Sequence, residues 1–235
     1  MKYKFELTIT SSAINTKIID ENGNAKLQER RFSDDTRAHL QSLDVVHAAN
    51  VLEQMLRELI ESLPRNSEIS DIKIHESFDA WVFMDENDNI LLKEYLNVTE
   101  ADKLQGYLKA LKLNGVIAQL ESKSGLMIST ETPLILALWF KNERPELVPV
   151  WRRMSSLHEY FYRIWTGKNQ ISIHLAARTG MYDLANNCWN LQALALIGIT
   201  PDYLPEVVAA DHLESYLLPE AIERIGLSKH TKIYW

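Results

Sequence analysis

The residues able to do chemistry are thinly spread along this 235-residue chain. Seven histidines are scattered through it, with no His-x-x-x-His and no Cys/His pair at the spacing a zinc ion needs. The single cysteine, Cys188, lies between Asn187 and Trp189 in what reads as a loop entering a helix, and an inert thiol is expected there. One cysteine excludes an intramolecular disulfide and suits a reducing, cytoplasmic setting. Neither a Gly-x-Ser-x-Gly elbow for a nucleophilic serine nor a Walker A loop is present. All eight glycines fall outside residues 24–105, so that stretch holds no glycine-rich phosphate cradle. Glu100 and Asp102 are neighbouring carboxylates, but they also suit the first turn of a helix, where negative charge complements the macrodipole. The net charge of −7 and the lack of a Lys/Arg stripe argue against nucleic acid as a partner. No apolar run approaches the ~18 residues needed to span a bilayer. The first ten residues alternate polar and apolar, unlike the core of a secretory signal.

The frame that must position these residues reads as mixed α/β. Residues 3–10 alternate, 14–19 are β-rich, and 27–32 can supply a third antiparallel strand; Asn22-Gly23 between the last two is a strong hairpin signal. Ser33, Asp34 and Asp35 offer N-caps for a long helix. Its apolar stripe includes Leu52, Met55, Leu56, Leu59 and Leu63, and Pro64 ends it. Strands are expected at 69–74, 81–84 and 90–96, with a turn-rich stretch at 85–89. Helical spacing returns at 100–113, 133–142, 155–166, 189–197 and 219–225. Trp81, Trp139, Trp151, Trp165 and Trp189 occur singly and are expected to pack in the core. Joints are short and no internal repeat is evident, so one compact domain is expected.

Four segments of the second half carry a resemblance. Trp139-Phe140-Lys141-Asn142-Glu143-Arg144-Pro145-Glu146 fits W-x-K-x-x-x-P-E, and residues 155–167, SSLHEYFYRIWTG, fit a helix ending in L-T-G. Ala177-Arg178-Thr179-Gly180-Met181-Tyr182-Asp183, followed by Trp189, fits A-S-x-T-G-M-Y/F-D. Leu196-Ile197-Gly198-Ile199 with Leu204-Pro205-Glu206-Val207-Val208 fits L-x-x-x-G-I…L-P-E-V-V. In this order and spacing the segments resemble the N-terminal, sugar-binding half of FGGY-type carbohydrate kinases, with gluconokinase-like members the best fit. Asp20-Glu21-Asn22-Gly23 sits where such kinases carry D-E/D-x-G. The resemblance implies a ribonuclease H-like (actin-like ATPase) α/β domain over residues 1–235, with a mixed sheet flanked by helices and without the second, nucleotide-binding domain. It implies ATP and Mg as cofactors of any active two-domain form, and no cofactor for this chain alone.

The match breaks where the family's chemistry resides. Its D-x-G-T-[TS] phosphate turn falls on Thr8-Ile9-Thr10-Ser11-Ser12, so Thr8 replaces the acid and Thr10 the glycine. Thr10, Ser11 and Ser12 remain as hydroxyl remnants of a phosphate turn, or as a plain strand end. The base of W-x-D-x-R falls on Thr99, and loss of a general base costs about 10²–10⁴ in rate. The histidine of S-M-H-S/G falls on Asp79 within Ser77-Phe78-Asp79-Ala80, and H-P-M-S-P becomes Ser129-Thr130-Glu131-Thr132-Pro133. Ser77, Asp79, Thr99 and Arg178 are therefore the candidate sugar contacts. Asp79 and Arg178 are expected either to pair, closing the site, or to bind a neutral polyol together. The resulting expectation is a catalytically inactive, pseudokinase-like domain that retains at most carbohydrate or partner binding. Its alternatives are a gluconate-type kinase half served by a separate C-terminal, ATP-binding half, and a structural subunit that forms homodimers.

Overall fold

The computed structural model describes residues 1–9, 13–31, 45–75, 81–92, 98–209 and 214–234. Their elements run β1 (Lys2–Ile9), β2 (Ala13–Asp20), β3 (Ala25–Arg31), α1 (Val45–Glu61), β4 (Glu68–His75) and β5 (Trp81–Met84). Next come α2 (Val98–Leu113), α3 (Val116–Ser124), α4 (Pro133–Glu143), β6 (Arg153–Ser156), α5 (Leu157–Thr166), β7 (Gln170–Ser172) and α6 (Ile173–Arg178). The last are β8 (Tyr182–Asp183), β9 (Cys188–Trp189), α7 (Leu191–Ile197), β10 (Glu206–Val208), β11 (Ser215–Tyr216), α8 (Pro219–Ile225) and β12 (Lys232–Tyr234). They group into two compact units, one from residues 1–81, 156–170 and 211–235, the other from 82–155 and 171–210.

The first unit is built on a mixed six-stranded sheet of order β11-β12-β4-β1-β2-β3. Strands β1, β2 and β3 form the expected antiparallel meander, with Phe5 opposite Ile18 and Lys17 opposite Leu27. β4 lies parallel to β1, and β12 parallel to β4. The two-residue pleat sends Phe5, Leu7, Ile18, Ile72 and Ile74 into the core and leaves Lys4 and Glu6 on the other face. On α1, Leu52, Met55, Leu56 and Leu59 are buried as the stripe predicts; Leu63 lies past the last helical residue and is only half-buried. Three helices of this unit meet at one carboxylate. Glu53 on α1 accepts from Trp165 Nε1 of α5 at 2.9 Å and from Arg224 of α8 at 2.9 Å (Nε) and 3.0 Å (Nη2).

The second unit is mostly helical around an aromatic cluster. Phe83 and Phe140 stack with ring centroids 4.2 Å apart, and Trp151 meets both edge-on at 5.5 and 5.2 Å. Such pairs add about 0.5–1.5 kcal/mol each beyond their buried area.

Several expectations are corrected by local physics. The strand over 90–96 reduces, among the described residues, to a bridge between Ile90 and Met84. α3 was not expected; it buries only Ile117, Leu120 and Ser124, too sparse a stripe to read, and is bounded by Gly115 and Gly125 at φ 70 and 68. The helix read from residue 155 starts at Leu157, because Ser156 caps it: Ser156 Oγ accepts from the Glu159 backbone and Glu159 Oε2 accepts from the Ser156 backbone. The helix read from 189 starts at Leu191, with Asn190 as its cap, and Cys188 and Trp189 are strand β9 instead of a loop. A five-residue pattern also recurs. In Asp20-Glu21-Asn22-Gly23-Asn24, Asp20 Oδ1 accepts from the Asn22 and Asn24 backbones at 2.9 and 2.8 Å, and Oδ2 from Asn24 Nδ2 at 2.9 Å. Asp85-Glu86-Asn87-Asp88-Asn89 repeats these three bonds at 2.8, 2.9 and 2.8 Å. Gly23 takes a left-handed φ of 83 in the first turn, and Asp88 one of 65 in the second.

Candidate functional site

Thr10, Ser11, Ser12, Ser77 and Asp79 lie outside the described residues, and with them the expected pairing of Asp79 and Arg178. The strands that precede them are described. β1 ends at Ile9 and its parallel neighbour β4 at His75, with Thr8 opposite His75 in register. The carboxyl ends of parallel strands are where open α/β sheets hold ligands. On the open face here, Glu6 takes Lys17 Nζ at 3.3 Å and lies 3.6 Å from His75 Nε2. Burial pushes the Glu6 carboxyl up, but the Lys17 hydrogen bond and charge, joined by His75, outweigh it and hold the group below its ordinary value. Sequence reading missed this cluster; strand alternation placed Lys4, Glu6 and Thr8 on one face, but the register with β4 was needed to bring in His75.

Thr99 is the second residue of α2, in the helix's first turn. The adjoining carboxylate is committed elsewhere: Glu100 Oε2 accepts from Trp139 Nε1, and Oε1 lies 3.5 Å from Lys103 Nζ. Asp102 is exposed. The W-x-K-x-x-x-P-E segment proves to be a set of helix ties. Lys141 Nζ donates to Leu196 O at 2.9 Å, at the negative end of α7. Glu143 accepts from Lys103 Nζ at 2.7 Å and from Tyr107 OH at 2.6 Å, joining α4 to α2. Arg144 stacks over the Trp139 ring, 5.1 Å from its centroid. The Glu143 carboxyl is held below its ordinary value, first by Lys103 and then by Tyr107. Burial, and then the bond to Glu143, push the Tyr107 hydroxyl up to about 12.

Arg178 is the exposed last residue of α6. Beyond it the segment turns inward. The Thr179 hydroxyl donates to Ala176 O at 2.6 Å and accepts from the Met181 backbone at 3.0 Å, and Thr179 O accepts from the Leu134 backbone at 3.1 Å. Gly180 has φ 73, and a Cβ there would sit 2.9 Å from Thr132 Cγ2, so both backbone shape and space require glycine. Asp183 accepts from Asn186 N and Nδ2 at 3.0 and 2.9 Å and lies 3.7 Å from Lys123; Asn186 first, then Lys123, lowers its carboxyl. Trp189 meets Tyr182 edge-on at 5.5 Å and donates to Pro205 O at 3.2 Å. Thr179, Gly180, Asp183 and Trp189 thus shape the turn, and Arg178 alone of the A-R-T-G-M-Y-D run combines charge with exposure. Glu131 is exposed in a turn where Ser129 Oγ accepts from its backbone at 3.3 Å. The tryptophans at 81, 139, 151 and 165 are buried, and Trp189 is half-buried. No helix among the described residues is long and apolar enough to cross a membrane.

Comparison with known proteins bears on the whole chain. The gluconate kinase from Lactobacillus acidophilus aligns with a TM-score of 0.86 at 20% identity, over 99% of this chain and 47% of that one. The xylulose kinase from the same organism gives 0.86 and 20%, over 100% of this chain and 47% of that one. These likenesses bear on the fold, and it is the expected ribonuclease H-like, actin-like ATPase class with a mixed sheet and flanking helices. In sequence, the gluconokinase of Bacillus subtilis (strain 168) is 25% identical over 238 residues, 97% of this chain and 44% of that protein. The chain therefore spans less than half the length of each of these relatives. Residues 10–234 match the model for the N-terminal domain of the FGGY family of carbohydrate kinases, and with nearly its whole described length inside that match the chain belongs to this family.

Proposed function

We propose that this domain is the sugar-side half of a gluconokinase-type kinase whose own chemistry is switched off, so that it retains at most binding of a carbohydrate or a partner. The supporting observation is the start of α2. Thr99 stands where the family segment places its base, and a hydroxyl cannot take a proton near neutral pH. Glu100, the nearest substitute, is engaged by Trp139 and Lys103. Thr8 likewise offers no carboxylate to a Mg ion near the end of β1. A coupled assay of ADP formation with gluconate, xylulose or glycerol is expected to stay at background for the purified chain. Robust turnover would overturn the inactive reading.

A second reading, a gluconate-type kinase half for which a separate ATP-binding half would bring ATP and Mg, is favoured by the sequence likeness to the B. subtilis gluconokinase. Mixing the chain with the remaining part of that gluconokinase separates the two. Turnover with Thr99 in place supports the kinase-half reading; turnover only in Thr99→Asp supports the inactive one.

A further inference from the structure

An asparagine followed by glycine is prone to lose its side-chain amide, because the glycine backbone nitrogen can reach the asparagine Cγ with no Cβ in the way. The two five-residue turns set this chemistry side by side in one molecule. Asn22 and Asn87 occupy the same place, and both are exposed. In each turn the nitrogen that would attack already donates to a backbone carbonyl: Gly23 N to Asp20 O at 3.0 Å, and Asp88 N to Asp85 O at 3.4 Å. Each turn must therefore open before it can react.

Two features then separate them. Apart from its two chain neighbours, no atom of the described residues lies within 4 Å of where a Cβ on Gly23 would be, so its peptide unit has room to swing. Asp88 carries a side chain that Arg153 Nη1 holds at 3.0 Å, and the same nitrogen binds Glu86 O at 2.9 Å, bracing the turn from β6. We propose that Asn22 is a site of spontaneous deamidation and isoaspartate formation, and that Asp88 with its Arg153 brace protects Asn87 in the matching turn.

In the reaction Gly23 N bonds to Asn22 Cγ and gives up its proton, while the Cγ–Nδ2 bond breaks and the amide leaves as ammonia. Water then opens the five-membered imide at either carbonyl, giving aspartate or isoaspartate; the net change is one water consumed and one ammonia released. Isoaspartate adds a methylene to the backbone inside the turn. Asp20 can then no longer close on both the Asn22 and Asn24 backbones as it does at 2.9 and 2.8 Å. The change lies directly beside the last β2–β3 pair, Ile19 opposite Ala25. Asn114-Gly115, exposed between α2 and α3 with Gly115 N bonded to Lys112 O at 3.1 Å, provides an Asn-Gly pair in a different local setting.

The test is to incubate the folded chain in heavy-oxygen water at mildly alkaline pH, digest it and follow each asparagine by mass spectrometry. The heavy oxygen marks events that precede digestion. Asn22 is expected to convert at least about tenfold faster than Asn87, the factor given by ~1.4 kcal/mol in barrier height, with isoaspartate among the products. Equal conversion at the two positions, or none at Asn22 while Asn114 converts, would overturn the proposal. Asp88→Gly supplies the converse: Asn87 is then expected to convert within a few-fold of Asn22, and continued resistance would show that the following residue is not what decides.

Discussion

Each compact unit uses a tryptophan N–H bonded to a glutamate to tie helices together, but one gathers its donors on a single carboxylate and the other divides them between two. In the first, a single carboxylate, Glu53, takes Trp165 and the Nε and Nη2 of Arg224, and the Glu53 side chain is only 11% exposed. In the second, the work is divided. Glu100 takes Trp139, while Glu143, 23% exposed, takes Tyr107 and a Lys103 that is itself 38% exposed. Concentrating donors on one desolvated acceptor makes the buried one dependent on it, because its removal leaves the Trp165 N–H without a partner away from water, while Arg224, 45% exposed, can turn to solvent. In the second tie Glu100 is as desolvated, at 12% exposed, but it holds only Trp139, and the wetter Glu143 lets solvent replace Tyr107 or Lys103.

The comparison makes its largest prediction at Glu53. Glu53→Ala is expected to cost about 2 kcal/mol, chiefly because it strands Trp165 Nε1 in the core; Arg224, 45% exposed, adds little because water can replace its partner. A urea midpoint within error of the parent chain would break the contrast. At the second tie, Tyr107→Phe should cost about 1 kcal/mol, the worth of one hydrogen bond to a charged acceptor with partial solvent replacement. It should also change the pH dependence. The Tyr107 hydroxyl titrates near 12 in the folded chain and near its ordinary 10 when unfolded. The unfolded state thus loses its proton first, and stability present below pH 10 falls as pH rises toward 12. Urea unfolding at pH 8 and pH 11 should show this alkaline loss in the parent chain and less of it in Tyr107→Phe; equal losses would show that Tyr107 does not contribute to it. The smallest effect is expected from Lys103→Ala, whose urea midpoint should stay close to that of the parent chain, as for other exposed ion pairs. A larger shift would mean that Lys103, Glu100 and Glu143 act as one network.

Neither tie was legible in the sequence, and the reason is distance along the chain. Trp139 and Glu100 are 39 residues apart, and Trp165 and Glu53 are 112 apart; no periodicity links such pairs. The β1–β2–β3 meander was legible because alternation and the Asn22-Gly23 turn are local signals that agree. α1 was legible because Leu52, Met55, Leu56 and Leu59 repeat on one face. Strands such as β8 and β9, two residues each, are too short to alternate. Ser156 and Glu159, by contrast, did carry a capping-box signal that would have placed the start of α5 correctly. For the site, the resemblance supplied positions but could not show that Glu100 is bound to Trp139, nor that Thr179 and Gly180 serve the turn while Arg178 faces solvent.

The sheet of the first unit is assembled from distant parts of the chain, and this bears on how the molecule is made. A ribosome delivers β4 early, but β12, the parallel neighbour that sets Ile233 against Ile72, only at residues 232–234. At about 5–20 residues per second, that partner emerges roughly ten to thirty seconds after β4. For that interval the edge of β4 that β12 will cover stays unpaired, while residues 82–155 and 171–210 are free to collapse into the second unit. Unpaired edges invite pairing with other chains. A chaperone that shields β4 during this window is the kind of helper such a topology calls for, and yield in its absence should fall as translation is made faster than folding can follow.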